Sequence, residues 1–137
     1  MEKVEGLCRQ FGELLRGKSR LQNGVCKVSL NRNFPVLVQG RLSVSVTPAE
    51  AQFESFGPDG RALNLSEITL LPEEVPAFMQ AVVRQGIIVA ALHNHWLYTE
   101  PSLLYIHLQS VEPPLDFARK LAAAFTVLRS YPVPANE

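Results

Sequence analysis

The sequence predicts an α+β fold: a single-domain sandwich over residues 1–137 in which a mainly antiparallel β-sheet is packed by about three helices. Three observations predict it. Apolar residues recur at helical spacing near each end and once in the middle. Runs of strand length fill the intervals, and Gly, Pro and Asn turn signals punctuate them. With 137 residues, 47% of them apolar, and no repeat or linker, the chain can bury roughly two thirds of its unfolded surface, so folding requires no structural metal.

The elements follow in chain order. Val4, Leu7, Cys8, Phe11, Leu14 and Leu15 share one face of a helix over residues 3–16, with Gly17 placed to end it in the left-handed conformation. Asn23-Gly24 turns into an alternating strand, Val25 to Leu30. Asn31-Arg32-Asn33 then leads into Phe34 to Val38, and Gln39-Gly40 turns the chain again. Leu42, Val44 and Val46 alternate with Ser43 and Ser45 as a strand with one wet face, ended by Thr47-Pro48. Gly57-Pro58-Asp59-Gly60 joins Ala51 to Phe56 and Ala62 to Leu70 as a hairpin. The change of apolar parity between Leu63/Leu65 and Ile68/Leu70 predicts a bulge near Ser66-Glu67.

Pro76 is tolerated only in a first helical turn, which sets a middle helix from about 73 through Val75, Phe78, Met79 and Val82 to Gln85-Gly86. Glu73 and Glu74 read as acidic residues complementing its dipole, and Glu54 and Glu67 as strand-surface charges. The unbroken apolar run Ile87 to Leu92 is that of a buried central strand, and it leads into His93-Asn94-His95. After a short turn at Thr99-Glu100-Pro101-Ser102, Leu103 to Val111 returns carrying His107. Pro113-Pro114 precedes a last helix on Phe117, Ala118, Leu121, Phe125 and Leu128, with Asp116 in its first turn.

Thirteen basic and thirteen acidic residues leave no net field to attract phosphate backbones or acidic lipid, so neither nucleic acid nor a membrane is an expected partner. No apolar run approaches the roughly 20 residues that span a bilayer, and Met1-Glu2-Lys3-Val4-Glu5 lacks a signal-peptide core. The expected residence is the cytoplasm. Cys8 and Cys26 match no metal-ligand spacing and read as two small core residues. A Gly-rich phosphate loop, a Gly-x-Ser-x-Gly elbow and an activated Cys-His pair are all missing, so no reaction class is indicated.

The feature that carries chemistry is the placement of the three histidines, all between positions 93 and 107. Random placement would crowd them so closely only about 3% of the time. His93 and His95 lie two apart on a strand, so they share a face with Cα atoms about 6.5 Å apart. Whether His107 joins them depends on register: an even sum of opposed residue numbers puts all three on one face, an odd sum turns His107 away. With Glu100 at the hairpin tip, a shared face offers N,N,N,O ligation suited to Zn, Fe, Mn, Cu or Ni. Trp96, Tyr98 and Tyr105 flank the cluster, as hairpin packing or as the lining of a small-molecule cleft.

The order His-x-His, then Glu, then a later His is similar to the ligand pattern of metal cupins. However, a helix directly precedes the strand, and His107 stands where that motif expects glycine, so the likeness is one of ligand logic. The letters His-Asn-His do not make an HNH nuclease, because the basic surface such an enzyme needs is missing. A closer resemblance lies in Gln85-Gly86-Ile87-Ile88-Val89-Ala90-Ala91-Leu92-His93-Asn94-His95 with Glu100-Pro101 and His107. Asn23 to Val28, Ile68-Thr69-Leu70 with Glu73-Glu74-Val75, and Phe117 to Phe125 add to it. These segments resemble the LppY/LpqO-type proteins, a domain of unknown function numbered 1259, over about residues 7–128. The resemblance implies no established activity. It does imply that some relatives are exported lipoproteins, although no lipobox opens this chain.

Two functions from different classes are therefore expected. In one, the domain binds a divalent metal or small-molecule ligand through His93, His95, His107 and Glu100, with Glu100 as fourth ligand or general base. In the other, it is a non-catalytic interaction domain whose sheet or hairpin pairs with a second copy as a homodimer, without metal.

Overall fold

The computed structural model describes residues 2–135. Helix α1 (Glu2–Leu14) is followed by strands β1 (Ser19–Gln22) and β2 (Val25–Asn31), β3 (Val36–Val38) and β4 (Arg41–Ser43), β5 (Pro48–Glu54) and β6 (Ala62–Leu70). A 3₁₀ turn (Pro72–Glu74) then opens α2 (Val75–Val83). Strands β7 (Ile88–His93), β8 (Thr99–Glu100) and β9 (Leu104–Glu112), helix α3 (Pro114–Phe125) and β10 (Val133–Pro134) complete the chain. The result is the expected α+β domain, with every pairing antiparallel.

The large sheet runs β1-β2-β5-β6-β9-β7, with β10 beside β1 on the outer side of β2, and β4-β3-β8 form a separate small sheet. Phe11, Val28, Phe53, Ile68, Phe78, Ile106, Phe117, Leu121 and other apolar side chains fill the layer between the large sheet and the three helices. The opposite face of the large sheet is open. At one end it carries a smaller core of Val36, Val46, Leu71, Leu103 and Tyr105, which docks the small sheet.

Cys8 and Cys26 are buried as expected of core residues, and they are joined as a disulfide that ties α1 to β2. Helix α1 ends with Arg16, not Gly17, in the left-handed region (φ 60°). Gly17 is required for space: a Cβ there would lie 2.7 Å from methyl groups of Val28 and Leu30.

The sheet corrects three expectations. The 42–46 strand shrinks to Arg41–Ser43; its apolar alternation continues into a bend where Val44 is 83% exposed, because no layer covers it. Strand β6 pairs without a break with β9 from Ala62 to Leu70 and with β5 from Leu63 to Ile68, so it has no bulge. Its apolar parity changes because Asn64 and Ser66 occupy the helix-facing side and use their polar groups on backbone carbonyls. Finally, β7 is an edge strand, not a central one: Ile88 and Leu92 are exposed, whereas Val89 packs on the main core. A short apolar run does not by itself distinguish a doubly covered strand from an edge.

Glu74 plays a larger part than a dipole-complementing charge. It is buried and accepts hydrogen bonds from Arg32 Nη1 (2.7 Å) and Nη2 (2.6 Å), and from the backbone N–H groups of Leu71 (2.8 Å) and Arg129 (2.9 Å). Arg32 Nη1 also donates to the Thr69 carbonyl. Burial pushes the Glu74 carboxyl up, but these donors outweigh it and hold the group below the ordinary glutamate value.

Candidate metal centre

The site begins with one irregularity in the β7–β9 ladder. Ile88 and Val89 pair with Gln109 and Leu108, whose numbers sum to 197. Past a bulge at Ala90 the pairs are Ala91 with His107, Leu92 with Ile106 and His93 with Tyr105, and the sum becomes 198. Opposed residues share a face and alternate residues return to it, so an odd sum would have turned His93 away from His107. The extra residue changes the parity and places both on the open face of the sheet, a side-chain re-aiming typical of bulges.

Beyond His93 the chain does not make a tight hairpin. Residues 94–103 make a long excursion in which Thr99 and Glu100 pair with Val38 and Leu37 of β3. The excursion brings His95 back over the sheet and carries Glu100 away from it. The potential ligand atoms of His93, His95 and His107 lie within 4.8 Å of one another, whereas Glu100 is exposed on the small sheet, outside that cluster.

The ring centroids are 4.6 Å apart for His93 and His95, 5.0 Å for His93 and His107, and 6.0 Å for His95 and His107. His93 Nδ1 stands 3.3 Å from the Asn94 carbonyl, which fits a proton on Nδ1 and a free lone pair on Nε2. His107 is half-buried, and its Nε2 is shielded from solvent with no hydrogen-bond partner. An orphaned polar atom in such a place calls for an explanation, and a bound ion is one.

Tyr105 lies beneath the cluster, its ring 4.4 Å from that of His95, and its hydroxyl donates to the Val46 carbonyl in the smaller core. Burial pushes this hydroxyl up to about 12; the nearby Glu67 carboxylate adds to the rise and a hydrogen bond with Trp96 opposes it. Trp96 is half-exposed and Tyr98 is 77% exposed, so of the three flanking aromatics only Tyr105 belongs to a core.

The carboxylate nearest the cluster is Glu67, read from sequence as a surface charge. Its Cα is paired with that of His107 across β6 and β9, and its Oε2 lies 3.5 Å from His95 Nε2. Only the β6–β9 register brings Glu67 here, 26 residues before His93, so no local motif could have marked it. Beside it, a groove of about 260 Å³ on the open face is lined by Glu50, Gln52, Leu65, Glu67, His107 and Gln109.

Fold and site together define an α+β domain with a three-histidine cluster on the uncovered face of its sheet. The model of the family described as Domain of Unknown Function (DUF1259) matches residues 9–127, so the chain belongs to that family. Comparison with the curated proteins and with the solved structures found no match. No helix among the described residues is long and apolar enough to cross a membrane.

Proposed function

We propose that this domain binds one divalent metal ion through His93, His95 and His107 and presents it to a small-molecule ligand entering from the groove beside His107. The observation that carries the reading is the convergence of the chain's whole histidine complement on one face, with His107 Nε2 shielded and unpaired. Two nitrogens each about 2.1 Å from one tetrahedral ion stand about 3.4 Å apart, so closure from within 4.8 Å asks the widest pair to approach by up to about 1.4 Å. The exposed His93 and His95 have room for this approach. Three imidazoles suit Zn, Fe, Mn, Cu or Ni. Three protein ligands also leave a coordination position for water or substrate, where such an ion acidifies the water or polarises an oxygen.

The test is metal analysis of untagged protein beside a His93→Ala/His95→Ala variant. About one equivalent in the wild type and little in the variant supports the reading; substoichiometric metal in both would sink it.

A second reading rests on a separate observation. Strand β7 is an edge strand without a charged residue or proline, and Ile88 is 56% exposed on it. Unprotected edges of this kind pair with other strands, which fits a homodimer. Light scattering would report a dimer that Ile88→Lys converts to monomer; a monomeric wild type at all concentrations would remove this reading.

As for residence, the Cys8–Cys26 disulfide bears against the cytoplasmic expectation, because cytosolic thiols are kept reduced. The residence we propose is an oxidising compartment. Free thiols at Cys8 and Cys26 in protein isolated under alkylating conditions would overturn it.

A further inference from the structure

We infer that Glu67 positions His95 for metal binding from outside the coordination sphere, an assignment that rests on the metal reading above. Three observations lead to it. The Glu67 carboxylate lies 3.5 Å from His95 Nε2, a few tenths of an ångström beyond the usual range of about 2.7–3.2 Å for an N–H···O hydrogen bond and within reach of one by a small side-chain shift. Among the described residues, Glu67 meets no lysine or arginine, and the His95 ring nitrogen is the basic group within 4 Å of its carboxylate. Glu67 is also fixed in place: it lies mid-strand in β6, paired on both sides with Glu50 and His107.

A metal-binding histidine commonly donates its other ring N–H to a carboxylate, which sets the tautomer and the ring orientation. Here the carboxylate faces Nε2, so His95 carries its proton on Nε2 and offers Nδ1 to the ion. His93, with Nδ1 engaged by the Asn94 carbonyl, and His107, with Nε2 unpaired, offer Nε2. The site then joins one Nδ1 donor to two Nε2 donors, and its carboxylate comes from β6, not from the Glu100 turn.

The experiment is a Co²⁺ titration of the full chain, followed through the visible bands of the ion, for wild type, Glu67→Ala and Glu67→Gln. Loss of an outer partner typically weakens metal binding about 10–100-fold. Glu67→Ala should weaken binding by that factor with band positions unchanged. Glu67→Gln, whose amide oxygen still accepts from Nε2–H, should restore most of the affinity. In the Zn²⁺-loaded protein, long-range ¹H–¹⁵N correlations should place the His95 proton on Nε2.

Shifted bands in either variant would make Glu67 a direct ligand and overturn the assignment. So would unchanged affinity in Glu67→Ala, or a His95 proton on Nδ1. Failure of the metal reading looks different, because the wild type itself would then show no Co²⁺ bands.

Discussion

Replacing Glu74 by alanine should be among the most damaging single changes in this protein. The Arg32 side chain is fully buried, and Glu74 is the carboxylate that neutralises it through a two-pronged contact. Removing that carboxylate strands a buried guanidinium, a change that costs about 3–5 kcal/mol when one partner of such a pair is lost. It also takes the acceptor from the Leu71 and Arg129 N–H groups, each worth about 1 kcal/mol, which points to the upper part of that range. With an unfolding entropy of about 2.1 cal/mol/K per residue, a loss of about 4–5 kcal/mol over this chain lowers Tm by about 14–17 °C. Thermal and urea unfolding followed by circular dichroism measures both quantities.

The double variant Arg32→Met/Glu74→Leu should recover most of the loss, since well-packed apolar side chains replace a buried pair at little net cost. The pH dependence follows from the same contacts. Glu74 is held below the ordinary value of 4.5, so its contribution is present above that pH and is lost as pH falls through the lower folded value. The Glu74→Ala variant should therefore lose part of the wild type's acid sensitivity. A Glu74→Ala loss under 1 kcal/mol, or a double variant whose losses simply add, would refute the reasoning.

Three further outcomes are expected. Cys8→Ser/Cys26→Ser should unfold about 3 kcal/mol more easily than the wild type in urea, the chain-entropy value for a closed loop spanning 18 residues; equal midpoints would contradict it. Gly17→Ala should cost about 1–3 kcal/mol, because its methyl group must displace buried methyls of Val28 and Leu30, and a neutral result would show that they yield freely. Tyr105→Phe should cost about 1–3 kcal/mol by leaving the Val46 carbonyl without its buried donor, with calorimetry as the check.

How much of this was legible depends on range. The three helices could be read from their stripes, since Phe11, Phe78 and Phe117 mark buried faces through spacing alone. The two-residue turn at Asn23-Gly24 was equally local: both residues take positive φ, and residues of that type announce it. Properties of the assembled sheet were not legible. Ile87 to Leu92 has the same letters at an edge as at a centre, and the parity change in β6 reflects two buried polar residues, not a bulge.

The histidine cluster was legible as a question. Its answer turned on a single bulge at Ala90 in an apolar run that carries no glycine or other marker. Glu67 and Glu74 stayed hidden because their partners lie 28 and 42 residues away, and the Cys8–Cys26 bond likewise depends on how α1 docks on β2.

The central claim is that the three histidines form one metal-binding unit, and isothermal titration of untagged, metal-stripped protein with Zn²⁺ tests it most directly. The expected result is a single site per chain, lost or greatly weakened in each of His93→Ala, His95→Ala and His107→Ala while Glu100→Ala binds as the wild type does. Binding that survives the loss of His107, or no saturable binding by the wild type, would contradict it.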